Sequence, residues 1–265
     1  MGRGMTYRAR PSDGSAWVTG ASSGIGRGVA LELARRGFVV WASARRVEDL
    51  QSLAKDATGL TGRIEVAPLD VTDRDACNKT FETIESNGPI ALAFLNAGSW
   101  FNDPPGDYGG EAFRKTFELN VLGVANCLNP VMRAMRGRRK GQIAITASIA
   151  GFGGLPNNGP YGPSKAAVIS MAVGAKFLAD QSNVTVQVVN PGYVRTPLTD
   201  GRREDPKLFM IESDDASRRI CDGFERGGFE ITFPRRLSWF LKFMNHMPYP
   251  VYFGLFAWFL PKAKE

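Results

Sequence analysis

The sequence predicts a single-domain α/β fold built on a doubly wound parallel sheet. Three observations predict it. Short apolar runs alternate along the chain with amphipathic segments of ten or more residues. A glycine-rich turn joins the first apolar run to the first amphipathic segment. No linker, repeat or low-complexity tract divides the 265 residues. Apolar runs this short read as strands buried on both faces, and the intervening segments as the crossover helices that parallel pairing requires.

Taken in order, residues 15–19 form a short buried strand, followed by the glycine turn and a helix whose inner stripe is Val29, Ala30, Leu33 and Ala34. Residues 38–42 and 64–69 supply the second and third strands. A helix over 73–85 leads to the apolar strand 90–95, and a long helical stretch over 111–135 precedes the strand 142–146. A helix over 162–179 runs into the strand 184–189, and the last repeat is a helix over 215–226 followed by a strand at 230–233. With right-handed crossovers this order closes into a Rossmann-type sheet. The expected divisions are a flexible basic arm over 1–14, carrying Arg3, Arg8 and Arg10, a catalytic domain over 15–233, and an aromatic-rich extension over 234–265.

Composition narrows the chemistry. A chain of this length buries enough apolar surface to need neither metal nor disulfide to hold its core. Three widely spaced cysteines, Cys77, Cys127 and Cys221, read as free thiols in a reducing, cytoplasmic compartment. The only histidine is His246, which argues against a histidine zinc site or a Ser-His-Asp triad, and no metal is expected. The basic N-terminus has no apolar stretch behind it and does not read as a secretory signal. A net charge of +7 suits an anionic partner. The densest basic run, 133–140, lacks the interleaved aromatics that stack bases, so it reads as a solvated helix-to-strand loop and not as a nucleic-acid site.

Between the first strand and helix lies Thr19-Gly20-Ala21-Ser22-Ser23-Gly24-Ile25-Gly26. Glycines there allow a tight turn and let the backbone approach a pyrophosphate at the positive end of the helix. An acidic residue about twenty positions on would select NAD through its ribose hydroxyls. The sequence has instead Ala44-Arg45-Arg46, and guanidinium groups suit the 2′-phosphate of NADP. NADP is therefore the expected cofactor, with NAD the lesser alternative. Arg27 either assists at the phosphate or is solvated in the first helical turn.

Tyr161-Gly162-Pro163-Ser164-Lys165 carries the reaction chemistry, with Ser148 thirteen residues upstream. A phenol is a weak acid at neutral pH, with an ordinary pKa near 10. A lysine four residues later on a helix lies on the same face. Its positive charge favours phenolate and brings proton transfer into the working range. Ser148 adds a hydroxyl to hold a substrate oxygen.

Together with Asn96-Ala97-Gly98 after the fourth strand, these residues resemble the short-chain dehydrogenase/reductase family, in its single-domain form with Thr-Gly-x3-Gly-x-Gly, over about 15–233. The resemblance implies that Tyr161 is general acid in carbonyl reduction and general base in alcohol oxidation. It implies that Lys165 binds the nicotinamide ribose, and that Ser148 bonds the reacting oxygen. Asn120, in Leu119-Asn120-Val121, would order the proton relay. Asp70, with Val71, would sit at the adenine, and Asn96, Ala97 and Gly98 at its ribose. Pro191, Gly192, Val194 and Thr196 would close over the nicotinamide. Taken singly, Asp70 also reads as a helix cap, Asn120 as a polar residue inside a long helix, and Pro191-Gly192 as an ordinary turn. Pro163 departs from the family pattern and is tolerable if the helix begins at or near Tyr161. The family also implies a homo-oligomer.

Residues 233–260 hold ten of the chain's twenty-eight aromatic residues. Leu237, Phe240, Leu241, Met244 and Met247 share one face at helical spacing, and Pro248-Tyr249-Pro250 interrupts the helix. The apolar run that follows, 251–260, is half of what spans a bilayer. Two readings stay open for 234–261: peripheral membrane contact through aromatics flanked by Arg235, Arg236, Lys242, Lys262 and Lys264, or packing on the body and a second subunit. Either way the segment is expected to wall the substrate pocket, which points to an apolar substrate. The charged segment between Thr196 and Glu212 occupies the place of a substrate lid, and reads equally as a solvated connection. The expected function is NADP-dependent hydride transfer involving an apolar ketone or aldehyde and its alcohol. The alternative is a non-catalytic NADP-binding sensor or a membrane-docked scaffold of the same fold.

Overall fold

The computed structural model describes residues 7–101, 108, 110–155, 158–199 and 209–259, with side chains through 255. The lid residues 200–208, the arm residues 1–6, and Lys262 and Lys264 lie outside the described residues.

The chain runs β1 (Ser15–Thr19), α1 (Gly24–Arg35), β2 (Val39–Ser43), α2 (Val47–Asp56), β3 (Arg63–Val66), α3 (Arg74–Ser86) and β4 (Ile90–Leu95). It continues α4 (Glu111–Phe117), a π turn at Glu118–Leu122, α5 (Gly123–Gly137), β5 (Gly141–Thr146), α6 (Tyr161–Asp180) and β6 (Val184–Pro191). The last elements are β7 (Val194–Arg195), β8 (Ile211–Glu212), α7 (Ser213–Arg226), β9 (Glu230–Phe233), α8 (Arg235–Asn245) and α9 (Tyr249–Phe259).

Seven strands form one parallel sheet in the order β3-β2-β1-β4-β5-β6-β9. The chain winds outward from β1 to β3, then returns to lay β4 on the other side of β1. That reversal leaves a crevice at the carboxyl ends of β1 and β4, where such sheets bind ligands.

Successive side chains of a strand point to opposite faces, and both faces here are buried. Ala16 and Val18 of β1, with Leu92 and Phe94 of β4, pack under α1, α2 and α7 against Leu33, Leu50 and Phe224. Trp17, Ala93, Leu95, Ile143 and Ile145 face α3, α5 and α6, against Ile84, Val131, Met135 and Val168. Trp17 is fully buried, and its indole Nε1 donates to Ser43 Oγ at 2.9 Å, which satisfies the one polar atom of a large apolar side chain.

Several expectations are corrected. Residues 7–14 are not a free arm: Ala9 N donates to Gln142 Oε1 at 2.8 Å, Thr185 Oγ1 donates to Tyr7 O at 2.6 Å, and Asp13 pairs with Lys140 at 2.7 Å. The basic run 133–140 is not simply a solvated loop, because α5 extends into it as far as Gly137 and Arg138 pairs with Glu85 and donates to Ile90 O. The helical stretch after Glu111 carries a π turn at Glu118–Leu122. Cys77 and Cys127, far apart in sequence, meet in the core with sulfurs 3.6 Å apart as free thiols.

On α8 the packed residues are Ser238 and Met244 with the half-buried Leu237 and Leu241, while Phe240 lies outside that face and is exposed. Lys242 pairs with Glu230 of β9, which pins α8 to the sheet edge. No helix among the described residues is long and apolar enough to cross a membrane.

Trp17→Ala should cost about 3–5 kcal/mol in chemical denaturation, from the lost aromatic volume and the orphaned Ser43 hydroxyl.

Candidate active site

The crevice at the carboxyl ends of the strands is lined by Gly20, Ser23, Gly24 and Ile25 from the first turn, and by Asn96 and Gly98 after β4. Thr146 and Ser148 line it after β5, Tyr161 and Lys165 from α6, and Pro191, Gly192, Val194 and Thr196 after β6.

The first turn has the shape a phosphate cradle needs. Gly20 and Gly24 adopt φ of +68° and +54°, which side-chain-bearing residues rarely take. A Cβ on Gly26 would lie 2.2 Å from Gly20 O, so only glycine lets the helix start against the strand end. Thr19 locks this turn to the next crossover, its Oγ1 accepting from Asn96 N at 2.9 Å and Ala97 N at 3.2 Å. Thr146 Oγ1 in turn donates to Asn96 Oδ1 at 3.0 Å. Three adjacent strand ends, β1, β4 and β5, are thus tied together beneath the crevice. Thr19 enters the sequence reading only as the first residue of the glycine motif and Thr146 only as a strand end; their common signal is position, each being the last residue of a buried strand.

α6 begins at Tyr161, so Pro163 falls in its first turn, where a missing N–H costs no helical bond. One turn in, Lys165 is only 3% exposed. Its Nζ donates to Thr146 O at 3.1 Å and lies 5.6 Å from the Tyr161 ring centroid. Burial lowers its pKa from an ordinary 10.5 to about 8, because desolvation disfavours the ammonium. Trp100 stacks on the other aromatic contact of this site, its ring 4.9 Å from that of Tyr161 at 22°. Trp100 escapes the sequence reading because nothing local marks an aromatic two residues after Gly98 as a partner for the Tyr161 ring.

Asn120 sits in the π turn and is fully buried. Its Oδ1 accepts from Ser99 N at 2.8 Å, and its Nδ2 donates to Ser99 O at 2.9 Å and Ser164 Oγ at 3.0 Å. Ser164 Oγ donates to Tyr161 O at 2.7 Å, so a chain of bonds runs from Asn120 to the backbone of the tyrosine. A Cβ on Gly98 would come within 3.1 Å of Asn120 Oδ1 and 3.2 Å of Lys165 Nζ, which makes that glycine the spacer between the two. Ser148 begins a short 3-10 turn, its Oγ accepting from Ala150 N at 3.1 Å and donating to Pro191 O at 3.4 Å.

The remaining sequence candidates fall around this centre. Asp70 is no helix cap: its Oδ1 accepts from Thr72 N at 3.0 Å and Thr72 Oγ1 at 2.8 Å, while Asp73 caps α3. Val71 is buried against Gly123 and α5. Arg45 is exposed and makes no hydrogen bond or ion pair with any described residue. Arg46 bridges Ser22 Oγ of the glycine turn, at 3.2 Å, to Asp49. Arg27 pairs with Asp56 of α2 and so is engaged away from the turn.

Sheet topology, glycine cradle and buried lysine beside a tyrosine define a nucleotide-binding oxidoreductase class. The sequence pattern of the short chain dehydrogenase family matches residues 15–207. An uncharacterized oxidoreductase of Myxococcus xanthus is 33% identical over 249 residues, covering 94% of this chain and 96% of that protein. The 3-oxoacyl-(acyl-carrier-protein) reductase FabG of Thermotoga maritima is 36% identical over 69% of this chain and 75% of its own length. A short-chain type dehydrogenase/reductase from Mycobacterium marinum superposes with a TM-score of 0.76 at 28% identity, over 84% of this chain and 94% of that one. This chain belongs to the short-chain dehydrogenase/reductase family of NAD(P)-dependent oxidoreductases.

Lys165→Met tests the burial directly. The folded lysine releases its proton near pH 8 and the unfolded one near 10.5, so the unfolded chain binds more protons between those values and wild-type stability rises with pH there. Denaturation curves should show the stability of the wild type gaining on Lys165→Met by up to about 1.4 kcal/mol per pH unit across that window. A pH-independent difference would refute the shifted lysine.

Proposed function

We propose that the protein is an NADP-dependent oxidoreductase that interconverts an apolar ketone or aldehyde with its alcohol, Tyr161 moving the proton at oxygen. The observation that carries this is the Lys165 ammonium buried beside the Tyr161 ring, on the same crevice wall as Ser148. A cation there favours the phenolate and readies the tyrosine for proton transfer at neutral pH. Ser148, fixed by Ala150 N, offers its hydroxyl to the reacting oxygen.

The glycine cradle at Gly20, Gly24 and Gly26 fits a pyrophosphate, with Ser22, Ser23 and Ile25 in the same turn. When bound, the nicotinamide cofactor supplies or accepts the hydride at carbon. Lys165 would hold its nicotinamide ribose, and Pro191, Gly192, Val194 and Thr196 its nicotinamide. Asp70, Val71, Asn96, Ala97 and Gly98 would line the adenine side. Asn120 would serve as a positioning residue, holding Ser164 and through it the first turn of α6.

Preference for NADP rests on the end of β2, where Ala44-Arg45-Arg46 offers guanidinium groups and no carboxylate. The unengaged Arg45 is the better candidate for a 2′-phosphate, since Arg46 already pairs with Asp49. An apolar substrate fits the Trp100 ring and the Pro197 and Leu198 side chains at the crevice. The 3-oxoacyl reductase among the relatives acts on a carbonyl, in keeping with this reading. Exposed Val173, Phe177 and Leu178 on α6 support a homo-oligomer.

Purified protein should oxidise NADPH with a member of a carbonyl panel, followed by absorbance. Tyr161→Phe should lower turnover by about 10²–10⁴-fold and leave NADPH binding largely intact. A fully active Tyr161→Phe enzyme would remove the proposed mechanism. Arg45→Asp should weaken NADP by about tenfold or more relative to NAD, and an unchanged ratio would overturn the cofactor assignment.

A further inference from the structure

The last two helices present an apolar surface that the fold does not use. On α8 the packed side is Leu237, Ser238, Leu241 and Met244, and the opposite arc carries Trp239, Phe240 and Phe243 beside Arg235 and Arg236. Trp239 is 66% exposed and Phe243 64%. α9 continues the surface: among its described side chains only Tyr252 is buried, while Tyr249, Val251 and Phe253 stand in solvent, Tyr249 at 76%. A helix apolar on all sides is normally covered by something.

We propose that this surface docks on an anionic lipid bilayer, lying in the headgroup region. Charge decides between lipid and a second copy of the chain. From Ile231 through Lys264 the sequence contains no aspartate or glutamate, yet it carries Arg235, Arg236, Lys242, Lys262 and Lys264. A symmetric contact between two such faces would set Arg235 and Arg236 against the same arginines with no carboxylate in the segment to neutralise them. An anionic membrane supplies that charge, and each arginine near it is attracted. Aromatic side chains next to cations on one helix face are the pattern of interfacial helices. Depth follows from length: the eleven residues of α9 reach about 16 Å, roughly half a hydrocarbon core, so the helix lies in one leaflet and does not cross. This docking is independent of the reaction in the crevice.

Co-flotation of the full chain tests it, using vesicles of phosphatidylcholine alone and of phosphatidylcholine mixed with phosphatidylglycerol. The protein should float with the mixed vesicles, release as salt is raised, and stay behind with the neutral ones. Arg235→Ser with Arg236→Ser should weaken binding to the mixed vesicles on the order of thirtyfold. Trp239→Ser, Phe240→Ser and Phe243→Ser together should weaken it by about tenfold or more. All five side chains lie on the exposed arc, so unchanged thermal midpoints should accompany both losses. Failure to float with anionic vesicles, equal flotation with neutral ones, or a triple variant that still binds would each overturn the proposal. So would a dimer that the triple substitution converts to monomer without lipid, since the face would then belong to a second copy.

Discussion

A lysine ammonium, fully inside the protein, must be held without a carboxylate partner, and the arrangement of the crevice follows from how that is done. Charged groups leave water at high cost unless something receives their protons. Lys165 gives one to the carbonyl of Thr146 and turns toward the face of the Tyr161 ring. Around it the backbone closes as far as it can: a Cβ on Gly151 would come within 2.7 Å of the Lys165 carbonyl carbon, and one on Gly98 would crowd the ammonium itself. The glycines are thus part of how the charge is housed. Among the described residues only the Thr146 carbonyl accepts a hydrogen bond from Lys165 Nζ, which leaves donors for a ligand with hydroxyl groups.

Topology brings those parts together. Thr19 and Thr146 end β1 and β5, Asn96 directly follows β4 between them, and their mutual hydrogen bonds make one rigid floor from segments some fifty residues or more apart. Tyr161 and Lys165 are placed on that floor by a helix whose first turn is held through Ser164 and Asn120. Precision here comes from elements anchored on both sides of the switch in strand order, with a glycine loop across the opening.

How much of this was legible in the sequence differs by element. The runs at 15–19, 90–95 and 230–233 coincide with their strands: 90–95 is apolar and buried throughout, while 230–233 alternates Glu230 and Thr232 with the buried Ile231 and Phe233, as an edge strand does. The ends of β2, β3 and β6 shift by one to three residues, since pairing with neighbours, not composition, sets where a ladder stops. α2 is not legible despite an inner stripe of Leu50 and Leu53, because it is short and starts after Arg46 with no side-chain cap. The π turn at Asn120 could not be read, because it is fixed by Ser99 and Ser164, which are distant in sequence. The Tyr161, Lys165 and Ser148 grouping was legible as a motif. Trp100 was not, because only the fold places its ring on the tyrosine. For α8 both the helix and most of its inward face were legible from spacing: Leu237, Leu241 and Met244 pack inward, and only Phe240 turns out, its expected place beside the sheet edge being taken by Ser238.

The inner side of the C-terminal helices touches the loop that follows Ser148. Tyr252 donates its hydroxyl to Gly154 O at 2.8 Å, Asn245 packs where a Cβ on Gly153 would sit, and Lys242 lies 4.9 Å from the centre of the Phe152 ring. Helices α8 and α9 therefore act as a splint for the loop that follows Ser148. A chain cut after Phe233 loses that splint together with the exposed aromatics, so any activity lost on truncation has two causes mixed in it. A fusion partner placed beyond α9 is likewise coupled through two short helices to the loop after Ser148, and side-chain changes on the outer arc are the cleaner instrument.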